Sequence, residues 1–300
     1  MVKRRSIVGV VGAVALAATA VTSVAQASET KAAEACSLSA GSVTAAGAHT
    51  ATGVTAGTPP TAGKPYTVPN VFQAGTVRLS TTFRSEPSVA GQDSYGLVVQ
   101  GDSLYWRFYN FNLGMDEHTR IGSGWSKFTA LEVAQLAHLE QGKPEHSIAY
   151  GLRNDGTLFR WTTSGNTWRS TGSYAGFSAV KSMALIAKTP TYDTFLMNTR
   201  GGALYTVRIP ITSPMKPIVK PVRTSGWQSF ETLVANKCGN YGTLLLGIDK
   251  DSKSGYLYAV GHANGTSTVI NNLGKVDGTF ADAVNFRWGP VDYYDPLNGD

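Results

Sequence analysis

This sequence is poor in cysteine, in charge and in long apolar runs. Its two cysteines, Cys36 and Cys238, are too few for a disulfide-dense scaffold and cannot build a zinc site of the usual ligand spacing. Only 15% of its 300 residues are charged, and the formal net charge is +6. Three positive charges, Lys3, Arg4 and Arg5, lie in a leader whose removal lowers +6 to +3. Nucleic-acid binders concentrate Lys and Arg to release counterions from phosphates, so this balance argues against nucleic acid as a partner. The histidines, His49, His118, His138, His146 and His262, form no i, i+4 pair and have no acidic partner in a recognised spacing. No metal or cofactor is therefore expected. The longest uncharged apolar run, Ile7 to Val21, falls short of the ~30 Å hydrocarbon core as a helix, which excludes a stable membrane span.

What is present points to export and to β-structure. A basic n-region, the Ile7 to Val21 run and the small-x-small pattern Ala25-Gln26-Ala27 read as a signal peptide over residues 1–27. The expected location is secreted or extracellular, including association with the cell wall. In that oxidising setting the simplest reading of Cys36 and Cys238 is one disulfide, the alternative being two free thiols. Residues 28–70 are rich in Ala, Thr, Gly and Pro and read as a flexible linker, because they offer too little apolar area to offset ordering entropy. From residue 71 to 300, short β-branched and aromatic runs alternate with Gly, Asn, Asp and Pro turns.

Those runs repeat. Leu followed by an aromatic recurs at Leu104-Tyr105, Leu158-Phe159, Leu204-Tyr205 and Leu257-Tyr258, each after a small or acidic turn. A second element ends in Phe128, Phe177, Phe230 and Phe280. Both markers have a period near 50 residues, which in a strand-rich chain indicates a β-propeller of four-stranded antiparallel blades. Residues 71–300 hold four to five such units, and five is the expected count. In the second unit the strands fall over 128–137, 147–153, 157–163 and 167–171, with Asp155-Gly156 as the hairpin turn. Val77 to Ser80 is expected to close the ring against residues 280–288, which would hide two strand edges.

The run Arg120-Ile121-Gly122-Ser123-Gly124-Trp125-Ser126-Lys127-Phe128, its echo Thr224 to Phe230, and Gly255 to Val260 resemble repeat elements of the tachylectin-2-like propeller lectins. The similarity spans roughly residues 75 to 290; Tyr174 and Asp277 stand where the motif has Trp. It implies a five-bladed propeller that binds N-acetylated sugars in clefts between neighbouring blades.

Other chemistry is weaker. Gly101-Asp102-Ser103-Leu104 spells the nucleophile block of the GDSL esterases, but no histidine has an Asp three residues before it, and the tetrapeptide falls on a blade hairpin. Asp249-Lys250-Asp251-Ser252-Lys253-Ser254-Gly255 suggests a calcium loop, yet it lacks the distant bidentate Glu. The candidate ligand-binding residues are Trp125, Tyr174 and Trp227, which recur three residues before the Phe marker. A flat aromatic with a polar tip suits a sugar face, and the competing role is core between blades. The expected function is a non-enzymatic, lectin-like glycan binder with repeated weak sites. The alternatives are a module that binds a secreted or cell-envelope protein and, third, a hydrolase.

Overall fold

A computed structural model describes residues 35–137, 144–289 and 294–300. The expected signal peptide, residues 28–34 of the expected linker, and His138 lie outside them. Where Val, Leu, Ile and Tyr alternate with polar residues the chain forms strands, and the short helix among the described residues is the single turn Phe111–Leu113.

The strands build five antiparallel blades. The first holds β1 (Ser37–Val43), β2 (His49–Thr55), β3 (Thr61–Ala62) and β4 (Tyr66–Val68); the second holds β5 (Val77–Ser80), β6 (Arg84–Pro87), β7 (Gln92–Gln100), β8 (Ser103–Asn110) and β9 (Met115–Ser123). The third comprises β10 (Phe128–Ala137), β11 (Pro144–Arg153), β12 (Leu158–Ser164) and β13 (Thr167–Tyr174). The fourth comprises β14 (Val180–Lys188), β15 (Tyr192–Thr199), β16 (Leu204–Pro210) and β17 (Ile218–Arg223). The fifth comprises β18 (Thr232–Cys238), β19 (Gly242–Asp249), β20 (Ser254–Val260) and β21 (Ile270–Lys275), and β22 (Val284–Arg287) follows. Strands β5, β10, β14, β18 and β22 start the blades and touch one another in a ring.

Two sequence expectations are corrected here. The linker reading of residues 28–70 fails from residue 37 onward, because β1 to β4 belong to the first blade. Small residues suffice there since the neighbours supply the volume: a Cβ on Gly41 would lie 2.3 Å from the Phe286 ring. Ring closure also differs. Strand β22 pairs with β1 in the register Ala40↔Arg287 to Val43↔Val284, whereas Val77 to Ser80 pairs with β7 and opens the second blade. The last strand among the described residues thus completes the first blade, which covers the edge that β1 would otherwise expose. Cys36 and Cys238 form a disulfide, which bolts the start of blade 1 to the end of β18 in blade 5, beside that closure.

The Phe markers pack inside the blades, Phe177 and Phe280 at the backbone place that Trp125 and Trp227 hold elsewhere. Phe128, Phe177, Phe230 and Phe280 are all buried. Phe128 lies over Gly151 and Phe230 over Gly247; a Cβ at either glycine would come within 2.8 Å of the ring. The side chain of Asn198 fastens blade 4 to blade 5 by donating to the carbonyls of Trp227 and Phe230, 2.8 Å each, and accepting from Ser182. The Asp102 carboxylate does the equivalent work between blades 2 and 3, accepting from the N–H groups of Gly124 (3.0 Å) and Ser126 (2.8 Å). Ser126, through side chain and backbone, and Gly124 lower the Asp102 pKa to about 2. The GDSL tetrapeptide is thus a turn whose Asp holds the next blade.

Candidate functional site

On each blade, alternate residues face the blade ahead and the blade behind. In blade 2 the pairs Leu97↔Trp106 and Tyr95↔Phe108 share a face. Leu97 and Trp106 on that face join Val133, Trp161 and Trp168 of blade 3 in one apolar cluster. Above the cluster the blades part, leaving a cleft of about 380 Å³, within the roughly 300–1,000 Å³ range of small-ligand sites.

One indole comes from each side of this cleft, Trp106 from β8 and Trp168 from β13, and both are half-buried. Trp106 packs on Tyr95 at 5.5 Å between ring centroids, and Trp168 on Trp161 at 5.8 Å. The polar lining is pre-organised. Gln135 Nε2 donates to Ser147 Oγ (2.8 Å), which bonds Thr163 Oγ1 (2.7 Å). Asn166 and Gly165 form the turn above them. Three cations line the cleft: Arg84, Lys188 and Arg287. Lys188 Nζ donates to the Gln135 carbonyl (2.7 Å) and Arg287 Nε to Thr82 Oγ1 (3.2 Å). Arg84 lies 5.4 Å from the Tyr95 ring, and burial lowers its pKa to about 10. The Tyr95 hydroxyl, raised above its ordinary pKa by burial and by its bond to Glu86, donates to that carboxylate. The arrangement offers apolar ring faces beside fixed donors and acceptors, which suits a polyol with one apolar face.

The residues expected to touch ligand lie elsewhere. Trp125 is 6% exposed and packs on Phe128 (4.4 Å), Trp161 (5.4 Å) and, edge-on, Trp168 (6.0 Å); it stands behind the cleft wall. Trp227 is 5% exposed against Phe230 and Tyr258. Tyr174 is 43% exposed and does not line the cleft. The structure therefore places Trp125 and Trp227 in the packing between blades. Trp106 and Trp168, which match neither repeat marker, are the tryptophans that reach this cleft.

The equivalent clefts are not alike. The position of Trp106 is taken by Arg160, Thr206 and Leu257 in the next three blades, in the matching pairs Tyr150↔Arg160, Leu196↔Thr206 and Leu246↔Leu257; the strand register thus corrects the sequence repeat, which aligned Leu257 with Leu104, by two residues. Between blades 3 and 4, Arg160 fills the gap, donating to the carbonyls of Pro210, Thr171 and Thr212. Between blades 5 and 1, Leu38, Val54, Leu246 and Leu257 pack together beside the disulfide. Between blades 1 and 2 a second open cleft, about 600 Å³, is lined by Tyr66, Tyr109, Phe111 and Trp288 with Ser94, Gln92 and Asn110. Its blade 1 wall includes Ser39, Ala51 and Gly53, whose small side chains widen it.

The remaining sequence motifs resolve into structure. Ser103 Oγ accepts from Arg120 Nε at 3.1 Å, and Asp249 Oδ1 accepts from the N–H groups of Asp251 and Ser252, a hairpin turn. His49 is buried among Phe83, Phe286 and Trp288 and bonds Tyr109. Among the described residues no group of three or more His, Cys, Asp or Glu could hold a metal ion, and no helix is long and apolar enough to cross a membrane.

No protein-family profile matches the chain, and no curated protein matches it. Among solved structures it is similar to the fucose-specific lectin of Aleuria aurantia, at 13% identity over 80% of each chain with a TM-score of 0.45. Another structure of an Aleuria aurantia lectin, described as a six-bladed β-propeller, is 14% identical over 79% of this chain and 78% of that one, TM-score 0.45. The WD40 domain of SCAP from fission yeast is 9% identical over 81% and 70%, TM-score 0.37. At these scores the likenesses carry no argument about ligand, and the five-bladed assignment rests on the strand pairing itself.

Proposed function

We propose that this protein is an exported, non-enzymatic, carbohydrate-binding propeller whose principal site is the cleft between blades 2 and 3. The observation that carries this reading is the pairing of two half-buried indoles, one from each blade, with the hydrogen-bonded polar set Gln135, Ser147 and Thr163 and the exposed Asn166 beside it. A pyranose presents an apolar face for the indoles and hydroxyls for that set. The tachylectin-2-like motifs add support and make N-acetylated sugars the first class to test. Two open clefts replace the repeated sites expected on every blade. Weak binding at both is reinforced by avidity on a polymeric glycan.

The test is retention of residues 28–300 on a glycan array, on chitin and on peptidoglycan, with Trp106→Ala and Trp168→Ala beside the parent. Each substitution is expected to weaken binding at least tenfold, about 1.4 kcal/mol. A folded parent retained by no glycan would overturn the reading. A second reading, a module that binds a secreted or cell-envelope protein, is favoured by the occupied groove described next.

A further inference from the structure

The end of blade 4 is covered by the chain itself, which also touches the neighbouring edge of blade 5. Residues 295–300 leave β-structure and lie across the end of blade 4. Lys188 N–H donates to the Pro296 carbonyl (2.9 Å) and Gly299 N–H to the Ile186 carbonyl (3.0 Å). From blade 5, Ala263 N–H donates to the Gly299 carbonyl (2.8 Å), and the Lys237 ammonium meets Asp295 at 2.9 Å. Leu297 is buried in the cluster of Leu185, Phe195 and Ile209. Three residues on, Asp300 Oδ2 accepts from the buried Thr194 hydroxyl (2.7 Å) and from Arg208 Nε (2.9 Å), whose guanidinium stacks 4.2 Å from the Tyr192 ring.

The placement has a counterpart in the candidate sugar site. Thr194↔Arg208 in blade 4 is the pair that corresponds to Tyr95↔Phe108 in blade 2, so the carboxylate stands on the same blade face that walls the open cleft. The segment's shape is imposed on it. Leu297 (φ 67°) and Asn298 (φ 52°) are both left-handed, a conformation that a leucine resists in isolation. A groove over the end of blade 4 that buries one leucine on the blade 3 side, seats one carboxylate on Arg208 and Thr194 on the blade 5 side, and bends the backbone between them relates to its occupant as a receptor does to a peptide.

We propose that this groove is a peptide-binding site that recognises a Leu-x-x-Asp element, and that residues 295–300 occupy it in cis until a protein partner carrying such an element displaces them. The partner's side chains take the places of Leu297 and Asp300. This inference does not depend on the sugar reading.

The test uses a fluorescent hexapeptide, Asp-Pro-Leu-Asn-Gly-Asp, titrated by anisotropy into the wild-type chain and into the full-length Leu297→Ala/Asp300→Asn double variant, whose own segment competes poorly. The double variant is expected to bind the peptide at least tenfold more tightly than wild type. Placing either substitution in the peptide, or adding Arg208→Ala to the protein, is expected to lose about tenfold. A folded double variant with no saturable binding, or binding indifferent to those changes, overturns the proposal. Amide exchange of the wild-type chain gives an answer even where that variant fails to fold. An exchangeable segment opens locally, so the Gly299 amide exchanges well ahead of the central amides of β15. Exchange of both at the rate of global unfolding makes the segment a fixed part of the fold and refutes the idea.

Discussion

Replacing Trp125 and Trp168 one at a time separates packing from recognition. Trp125→Ala removes a ring that is 6% exposed and in contact with Phe128, Trp161 and Trp168. Deleting so large a buried side chain costs about 3–5 kcal/mol, because the transfer free energy is lost and the cavity relaxes only in part. In urea that corresponds to a midpoint shift on the order of 1 M. Trp168 is half-buried, with one side on the cleft, so Trp168→Ala is expected to cost about 1 kcal/mol while abolishing stacking on ligand. The assay is urea unfolding followed by tryptophan fluorescence, paired with glycan binding measured at a denaturant-free concentration where both variants are folded. The expected order is a large stability loss for Trp125→Ala and a large binding loss for Trp168→Ala. The reverse order, with Trp125→Ala at parental stability and unable to bind, would refute the placement of Trp125 behind the wall.

Four further outcomes follow from the packing. Gly151→Ala and Gly247→Ala drive a methyl against Phe128 and Phe230, and each should cost about 1–3 kcal/mol in unfolding free energy; a neutral result would mean that the rings can move aside. Asn198→Ala leaves the carbonyls of Trp227 and Phe230 and the Ser182 N–H without their buried partner and should lower stability by about 2–4 kcal/mol, checked by thermal melting. Reduction of the Cys36–Cys238 disulfide, 202 residues apart, should destabilise by about 2–5 kcal/mol; an unchanged melt in reductant would show that β1–β22 pairing alone closes the ring. Burial, with a smaller contribution from Arg107, holds His49 well below its ordinary pKa of 6.5. The unfolded chain therefore binds a proton the folded one refuses, so stability falls as pH drops below about 6.5. His49→Phe should flatten the slope between pH 7 and pH 5, and parallel slopes for the two proteins would count against this assignment.

The sequence by itself determined the blade. Periodicity near 50 residues and period-2 alternation within each unit specify four strands and their turns, because side-chain alternation and hairpin chemistry are local properties of the chain. The placement of β10 to β13 shows this: the 128–137 strand was legible to the residue, and Asp155-Gly156 sits at the hairpin between β11 and β12. The blade of small residues, β1 to β4, was not legible, since Gly41 and its neighbours are packed by Phe286 and Trp288, some 240 positions away. The site was hidden for a related reason. Repetition draws attention to positions that every blade shares, and those positions pack: Trp125 and Trp227 face their own Phe markers. A cleft opens only where one blade departs from its siblings, as Trp106 does against Arg160, Thr206 and Leu257. Which departure leaves space, and which fills it, depends on what the adjacent blade brings across the gap, and only the tertiary structure decides that.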